Sequence, residues 1–204
     1  MIIYDNTQSS NALKVRILLA ELGAPHELRH VPFTRPRPGA LLAVNPLGGI
    51  PTLVDGTFHL AESNTILRYL ARSAGRDDLY PTDPAGAARV DEFLDRFSIT
   101  FRPALFRVEA LAMGFVPGVG WNAKPIDLEG AVVAAEEIAP MMATFEQLVA
   151  TNGTVLGTYT IADMAAAPAL LRTTQTQMDM TAYPSLTALR DTMAARAAVL
   201  AARG

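Results

Sequence analysis

Three short stretches of this chain carry residue types that suit ligand chemistry. The first is Asn45-Pro46-Leu47-Gly48-Gly49-Ile50-Pro51-Thr52-Leu53-Val54-Asp55-Gly56. Asn-Pro and Gly-Gly are turn chemistry, and the run from Ile50 to Val54 is β-prone and closed by an Asp-Gly hairpin signal. A proline opening a strand has no N–H for the ladder and needs a positional reason. A cis Ile50–Pro51 bond, costing about 0.5–1 kcal/mol, would turn the N–H and C=O of Ile50 toward a ligand. The second stretch, Glu62-Ser63-Asn64-Thr65, opens a helical pattern. Free N–H groups and the positive dipole end favour a carboxylate beside Ser63. An edge that pairs with a peptide backbone, next to a carboxylate pocket, suits a short peptide ligand. The third stretch, Thr7 to Asn11, is polar and precedes a helix. Its hydroxyls and amide can cap that helix or donate to a ligand.

These stretches need a scaffold. Ile2-Ile3-Tyr4 reads as a strand, and Val15, Leu18, Leu19 and Leu22 share one helical face. Gly23 and Pro25 end that helix, and 27–31 reads as a second strand. Residues 32–44 read as irregular and proline-rich. The hairpin at 50–60 and a helix over 63–74, stopped by Gly75, complete a βαβ–ββα order, the thioredoxin-like plan with a mixed four-stranded sheet. Residues 77–84, with two prolines and three acids, read as a linker. Beyond it no strand alternation is visible. Helices are expected over 85–113, bent at Pro103, over 128–150, bent at Pro140, over 160–172, and over 185–202 in one or two pieces, with 114–126 a loop. Thr160 and Asp163 form an acidic capping box, with Tyr159 and Met164 as its staple, so Asp163 is read as a buried folding residue. The expected organisation is α/β plus all-α: a thioredoxin-like domain over 1–76, the linker, and a helical domain over 85–204.

Composition narrows the function classes. The chain has 204 residues, half of them hydrophobic, and a net charge of −3 with no basic run. That gives no support for nucleic acid as a partner. No cysteine is present, which removes disulfides, thiolate metal sites and a cysteine nucleophile and fits a reducing compartment. His26, His30 and His59 have no metal-ligand spacing, so no metal is expected. The apolar runs are too short for a membrane helix, and the N-terminus reads as a strand and not a leader. The cytoplasm is the expected location.

The strings Asn45-Pro46-x-Gly48-x-Ile50-Pro51-x-Leu53 and Glu62-Ser63-x-x-Ile66 resemble the glutathione-binding half of the glutathione S-transferase family. Ser9-x-Asn11-x-x-Lys14-Val15-Arg16 is similar to a bacterial, serine-type branch of it, theta-, phi- or zeta-like. Thr160-Ile161-Ala162-Asp163 and Tyr183-Pro184-Ser185-Leu186 resemble elements of its helical domain, so the likeness covers nearly the whole chain. The resemblance implies roles. A thiol of pKa about 8.5 is only a few per cent thiolate at pH 7, and a hydroxyl at the start of the first helix can stabilise the thiolate. Ser9, six residues before Val15, is the expected donor, with Ser10 and Asn11 as alternatives. Ile50 would pair by backbone with the cysteinyl unit, Pro51 would hold that geometry, and Glu62 and Ser63 would take the γ-glutamyl end. Arg37 would meet the glycyl carboxylate. Gly49 stands where many members have Gln or Lys, which removes one contact. Tyr4 falls one residue off the position of the tyrosine-type branches and is read as core or dimer-facing.

A second-substrate pocket is expected between the domains, lined by Phe33, Phe101, Arg102, Phe106, Met113, Phe115 and Trp121. The implied activity is a glutathione transferase: the thiolate attacks a small hydrophobic electrophile, glutathione is the co-substrate, and no cofactor is needed. The implied context is a homodimer in detoxification. Cysteine-dependent reductase chemistry is excluded by composition. Asn11 stands where isomerase branches carry cysteine, which places isomerisation below conjugation, and dehalogenation and ether cleavage stay open. The alternative is a non-catalytic, transferase-like adaptor that binds a protein partner.

Overall fold

A computed structural model describes residues 1–203. Four strands, β1 (Ile2–Asp5), β2 (Glu27–His30), β3 (Thr52–Asp55) and β4 (Phe58–Leu60), form one sheet in the order β2-β1-β3-β4. β1 is parallel to β2 and antiparallel to β3, which pairs antiparallel with β4. A parallel pair needs a crossover, and α1 (Ser10–Leu22) supplies it. Alternation along β1 sends Ile3 into the main core and Tyr4 to the opposite face, packed with Val31 and Leu41. Tyr4 Oη donates to the Ala40 carbonyl at 3.2 Å, so Tyr4 is a packing residue. The segment expected to be irregular contains a short helix, α2 (Gly39–Leu42), begun at Pro38. α3 (Ser63–Ser73) follows the hairpin.

The remainder is helical: α4 (Pro84–Arg96), α5 (Arg102–Ala112), α6 (Leu128–Glu137), α7 (Ala139–Leu148), α8 (Ile161–Arg172), α9 (Pro184–Ala195) and α10 (Ala197–Arg203). The bend expected at Pro103 takes the form of a π-helical turn, Phe97–Phe101, between α4 and α5. Proline has no N–H, and its ring crowds the carbonyl four residues back. The wider turn relieves this, with the Arg102 N–H donating to the Phe97 carbonyl. The break at Pro140 is complete, dividing α6 from α7 at Ile138.

One apolar core runs through both halves, from Ile3, Val15 and Leu18 to Met164, Leu186 and Met193. α1 is its centre: it packs on α3 from one side and on α8 and α10 from the other. Val15, Ile17, Leu18 and Leu19 are fully buried, each contributing about 1.5–3 kcal/mol. The helix that begins at Ser10 is therefore held firmly at its middle, and its N-terminus points into the space between the two halves.

α8 begins with the expected box. Asp163 is fully buried and accepts from the Thr160 N–H at 2.7 Å, the Thr160 hydroxyl at 3.2 Å and the Val155 N–H at 2.7 Å. The last bond adds something the box alone does not predict, since it ties the preceding loop to the helix start.

Candidate functional site

Ser9 is the N-cap of α1, with extended backbone, and its Oγ accepts from the Ala12 N–H at 3.2 Å. The cap uses the oxygen as an acceptor and leaves the hydroxyl proton free to donate, so capping and donation to a ligand are compatible. Loop 5–9 is secured from below: Asn6 donates to the Val31 carbonyl at 2.8 Å and accepts from the Gln8 N–H at 2.9 Å. Beneath it Arg16 donates to the Thr7 carbonyl at 3.0 Å and lies 3.5 Å from Asp5. Burial pushes the Asp5 carboxyl up, against the opposing pull of Arg16.

The turn before β3 is built by Asn45, whose amide donates to the Gly49 carbonyl at 3.2 Å and to Thr52 Oγ1 at 2.9 Å, while its oxygen accepts from the Leu47 N–H at 3.2 Å. Gly48 has φ +64, and a Cβ there would come within 2.8 Å of Arg37 Cγ. Glycine thus lets the Arg37 stem cross the turn. The Ile50–Pro51 bond is cis. Opposite this turn α3 starts at Ser63, preceded by Glu62 at φ 65, ψ 109. A non-glycine residue in that region costs on the order of 1–3 kcal/mol, and such strain clusters at ligand sites.

A smaller cleft of about 170 Å³ is lined by Asn11, Asn45, Gly49, Ile50, Pro51, Glu62 and Ser63, among others. A larger one of about 480 Å³ is lined by Ser9, Ser10, Asn11, Arg37, Ile50, Phe106 and others. Asn11 and Ile50 border both. The structure thus brings the residues of all three stretches to one continuous groove. Of the aromatic residues expected around a second substrate, Phe33, Phe106, Phe115 and Trp121 line the larger cleft together with Arg102. Edge contacts join Phe106 to Phe115 and to Trp121 at centroid distances of 5.1 and 5.9 Å.

Two expected pocket residues lie elsewhere. Phe101 stacks on Phe145 at 4.5 Å and is buried, because the π-helical turn rotates it into the helical core. Met113 lines an adjoining polar cleft that shares Gln8, Trp121 and Arg172 with the larger one. α5 ends there, and Met113 faces the other side of that wall.

Sequence reasoning placed Arg102 and Trp121 in the second-substrate pocket but missed Glu109 and Arg172, which join them in latching the Ser9 loop. Glu109, 2% exposed, accepts from Arg102 through both oxygens at 3.1 Å and from Arg172 at 2.9 Å. Arg102 also donates to Ser10 Oγ at 2.9 Å, and Arg172 and Trp121 both donate to the Gln8 carbonyl. Arg102 and Glu109 lie two turns apart on one helix, a spacing that could have linked them. Arg172 ends a helix 63 residues on, and no local signal joins it to them.

Lys14, part of the serine-type string, carries a role the string does not assign. Its Nζ donates to Asn64 Oδ1 at 2.6 Å, and Asn64 donates to Ser98 Oγ at 2.8 Å. Burial, followed by the cationic neighbours Arg102 and Arg68 against Glu62, lowers its pKa to about 7. The free value is about 10.4. Between these values the unfolded chain holds a proton the folded chain does not, so stability rises with pH there and is flat below. The slope is up to about 1.4 kcal/mol per pH unit. From about pH 7.5 to about pH 9, the native chain should gain about 2 kcal/mol relative to Lys14→Met, read from urea midpoints.

Among the described residues no helix is long and apolar enough to cross a membrane, and no group of three His, Asp or Glu could hold a metal ion.

The chain is similar to known proteins in sequence and in fold. The family described as "Glutathione S-transferase, N-terminal domain" matches residues 8–73, a span that holds the first two stretches and all of the third but Thr7. Glutathione S-transferase F10 of Arabidopsis thaliana is 30% identical over 158 residues, covering 74% of this chain and 71% of that protein. Glutathione S-transferase theta-1 of Homo sapiens is 37% identical over 108 residues, 52% of this chain and 45% of that protein. A solved structure of glutathione S-transferase-I bound with lactoylglutathione superposes with a TM-score of 0.83 at 21% identity, over 99% of this chain and 97% of that one. That likeness shows the fold; the F10 match, over more than two thirds of each chain, shows descent. By sequence and by fold, this chain belongs to the glutathione S-transferase family.

Proposed function

We propose that the protein is a glutathione transferase that holds glutathione along the groove and presents its thiolate to an electrophile. The observation that carries this reading is the continuity of the groove from Glu62 and Ser63, past Ile50 and Asn11, to Ser9. Its two parts, of about 170 and 480 Å³, give room for a tripeptide. Ser63, at the first turn of α3, takes the γ-glutamyl carboxylate on its hydroxyl and the helix N–H groups, with Glu62 facing the α-amino group. Ile50 pairs with the cysteinyl backbone, and Arg37 lies toward the glycyl carboxylate. Ser9 donates to the sulfur at the N-terminus of α1, with Ser10 and Asn11 flanking it. Ser10 is buried and Ser9 half-buried, which ranks Ser10 below Ser9 as the sulfur contact.

In the reaction the sulfur lone pair attacks the electrophilic carbon, and the leaving group departs with its bonding pair. Glutathione enters as co-substrate with no further cofactor. The family resemblance also supports a cytoplasmic homodimer with a detoxifying role, built of a glutathione-binding domain over 1–76 and a helical domain over 85–204 joined by 77–84.

The test is calorimetric titration with glutathione beside an assay of conjugation to a chlorinated nitroarene. Ser63→Ala should weaken glutathione binding about tenfold or more, the loss of one charge-assisted contact. Absence of both binding and conjugation in the native protein would refute the reading.

A further inference from the structure

The larger cleft is not simply apolar. Its aromatic walls meet two guanidinium groups, Arg102 and Arg172, that share a single carboxylate, Glu109. The trio carries a surplus positive charge. Both guanidiniums are only 13–14% exposed on their side chains, and both are fixed over aromatic rings, Arg102 over Phe106 at 5.0 Å and Arg172 over Trp121 at 4.5 Å. A guanidinium has five N–H donors. The bonds to Glu109, Ser10 and Gln8 leave donors on both groups, and both residues line the cleft.

A half-buried cationic surplus is costly without an anion, whereas a flat apolar substrate alone would require only the aromatic walls. The attack also brings an anionic sulfur to the substrate, so a second anion there needs neutralising charge. We infer that the cleft selects electrophiles bearing an acidic group, a carboxylate on a flat aromatic or unsaturated skeleton, held by Arg102 and Arg172 while Phe106, Phe115 and Trp121 cover the skeleton. This rests on the transferase reading for its chemistry. In that chemistry the S–C bond forms as a carbon–halogen bond breaks with loss of halide. At an activated alkene the displaced pair moves to the carbon next to the activating group, which takes a proton from water.

Trp121 is the single tryptophan of the chain and stands in the cleft wall, so its fluorescence reports occupancy without turnover. Phenylacetate and its neutral amide, phenylacetamide, are titrated into the native protein. The carboxylate should bind about tenfold tighter or more, with a preference that falls as salt is added. Arg172→Met should reduce the preference to about twofold or less, and Arg172→Lys should retain part of it. Glu109→Gln enlarges the cationic surplus and should raise the preference, so the inference stays falsifiable if Arg172→Met does not fold. Equal affinities in the native protein, or a preference unmoved in both Arg172→Met and Glu109→Gln, would overturn it.

Conjugation gives a second readout, comparing a chlorinated nitrobenzoate with its amide. Arg172→Met should lower kcat/KM for the acid about tenfold more than for the amide. An equal loss for both would mean the arginines serve only the thiolate, and would also overturn the inference. Glutathione titration separates the two failures. A protein that prefers phenylacetate but binds no glutathione loses the transferase reading alone, and one that binds glutathione with no acid preference loses only this inference.

Discussion

Ser9→Gly is expected to lower kcat/KM for conjugation by about 10²–10³-fold, the usual effect of removing one preorganised donor from developing charge, while leaving the fold nearly as stable. The comparison with Ser9→Ala gives the test its force. Ser9 caps α1 through the Ala12 N–H, and loss of a cap to alanine costs about 1 kcal/mol, but to glycine only a few tenths. If Ser9 were a cap and nothing more, Ser9→Gly would stay active. If its hydroxyl also donates to the sulfur, both variants lose activity, and only Ser9→Ala loses stability as well. The thiolate absorbance of bound glutathione gives the cause directly. In both variants its midpoint should move up toward the free thiol value of about 8.5, so the thiolate present at pH 7 in the native complex disappears. Ser9→Thr keeps an oxygen that can cap and donate, and it should recover part of both properties. Retained activity in Ser9→Gly would transfer the role to Asn11, which borders both parts of the groove.

The largest stability effect is expected at Asp163. Asp163→Ala removes the acceptor of the Thr160 and Val155 N–H groups, both in buried surroundings. A buried donor left without a partner costs about 1–3 kcal/mol, and the reciprocal cap adds about 1 kcal/mol. With two such donors the total is about 3–7 kcal/mol, a large part of the stability of a typical domain. Asp163→Asn should fall short of rescue, because its NH₂ end presents donors to donors. Urea unfolding checks both variants. A loss below about 1 kcal/mol in Asp163→Ala would mean that α8 and the loop before it are held by packing alone. Because α8 packs on α1, partial loss of this helix start should also loosen the anchorage of the Ser9 loop.

Local signals were enough for much of this protein. The strand–helix–strand order, the turn at Asn45-Pro46-Leu47-Gly48, the cap at Thr160 and the helix start at Ser63 were all legible, because each depends on residues within about four positions of one another. Hydrogen-bonding side chains at caps and turns act at that range. The alternation that sends Tyr4 away from Ile3 was legible for the same reason, since strand period is a local property. The irregular reading of 32–44 failed where a four-residue helix is too short to show a period.

The helical segment carrying Phe101 was legible as helix, but its rotation was not. Pro103 predicted a bend, yet a kink and a π-helical turn satisfy the missing N–H equally well from the standpoint of sequence. Only packing against Phe145 selects the turn that buries Phe101. The joining of Arg172 to Arg102 and Glu109 was a tertiary decision, since α5 and α8 meet only when the core closes around α1. Lys14 shows the same division. Its place on α1 is set by local helix period, but its lowered pKa arises from burial and from the charges of Arg102 and Arg68, distant in the chain. Residue types and short-range spacing therefore determined which groups the protein has for binding a peptide thiol. The fold decided which of them share a cleft, how much water reaches them and what charge surrounds the sulfur, because burial and electrostatic environment depend on contacts between residues distant in the chain.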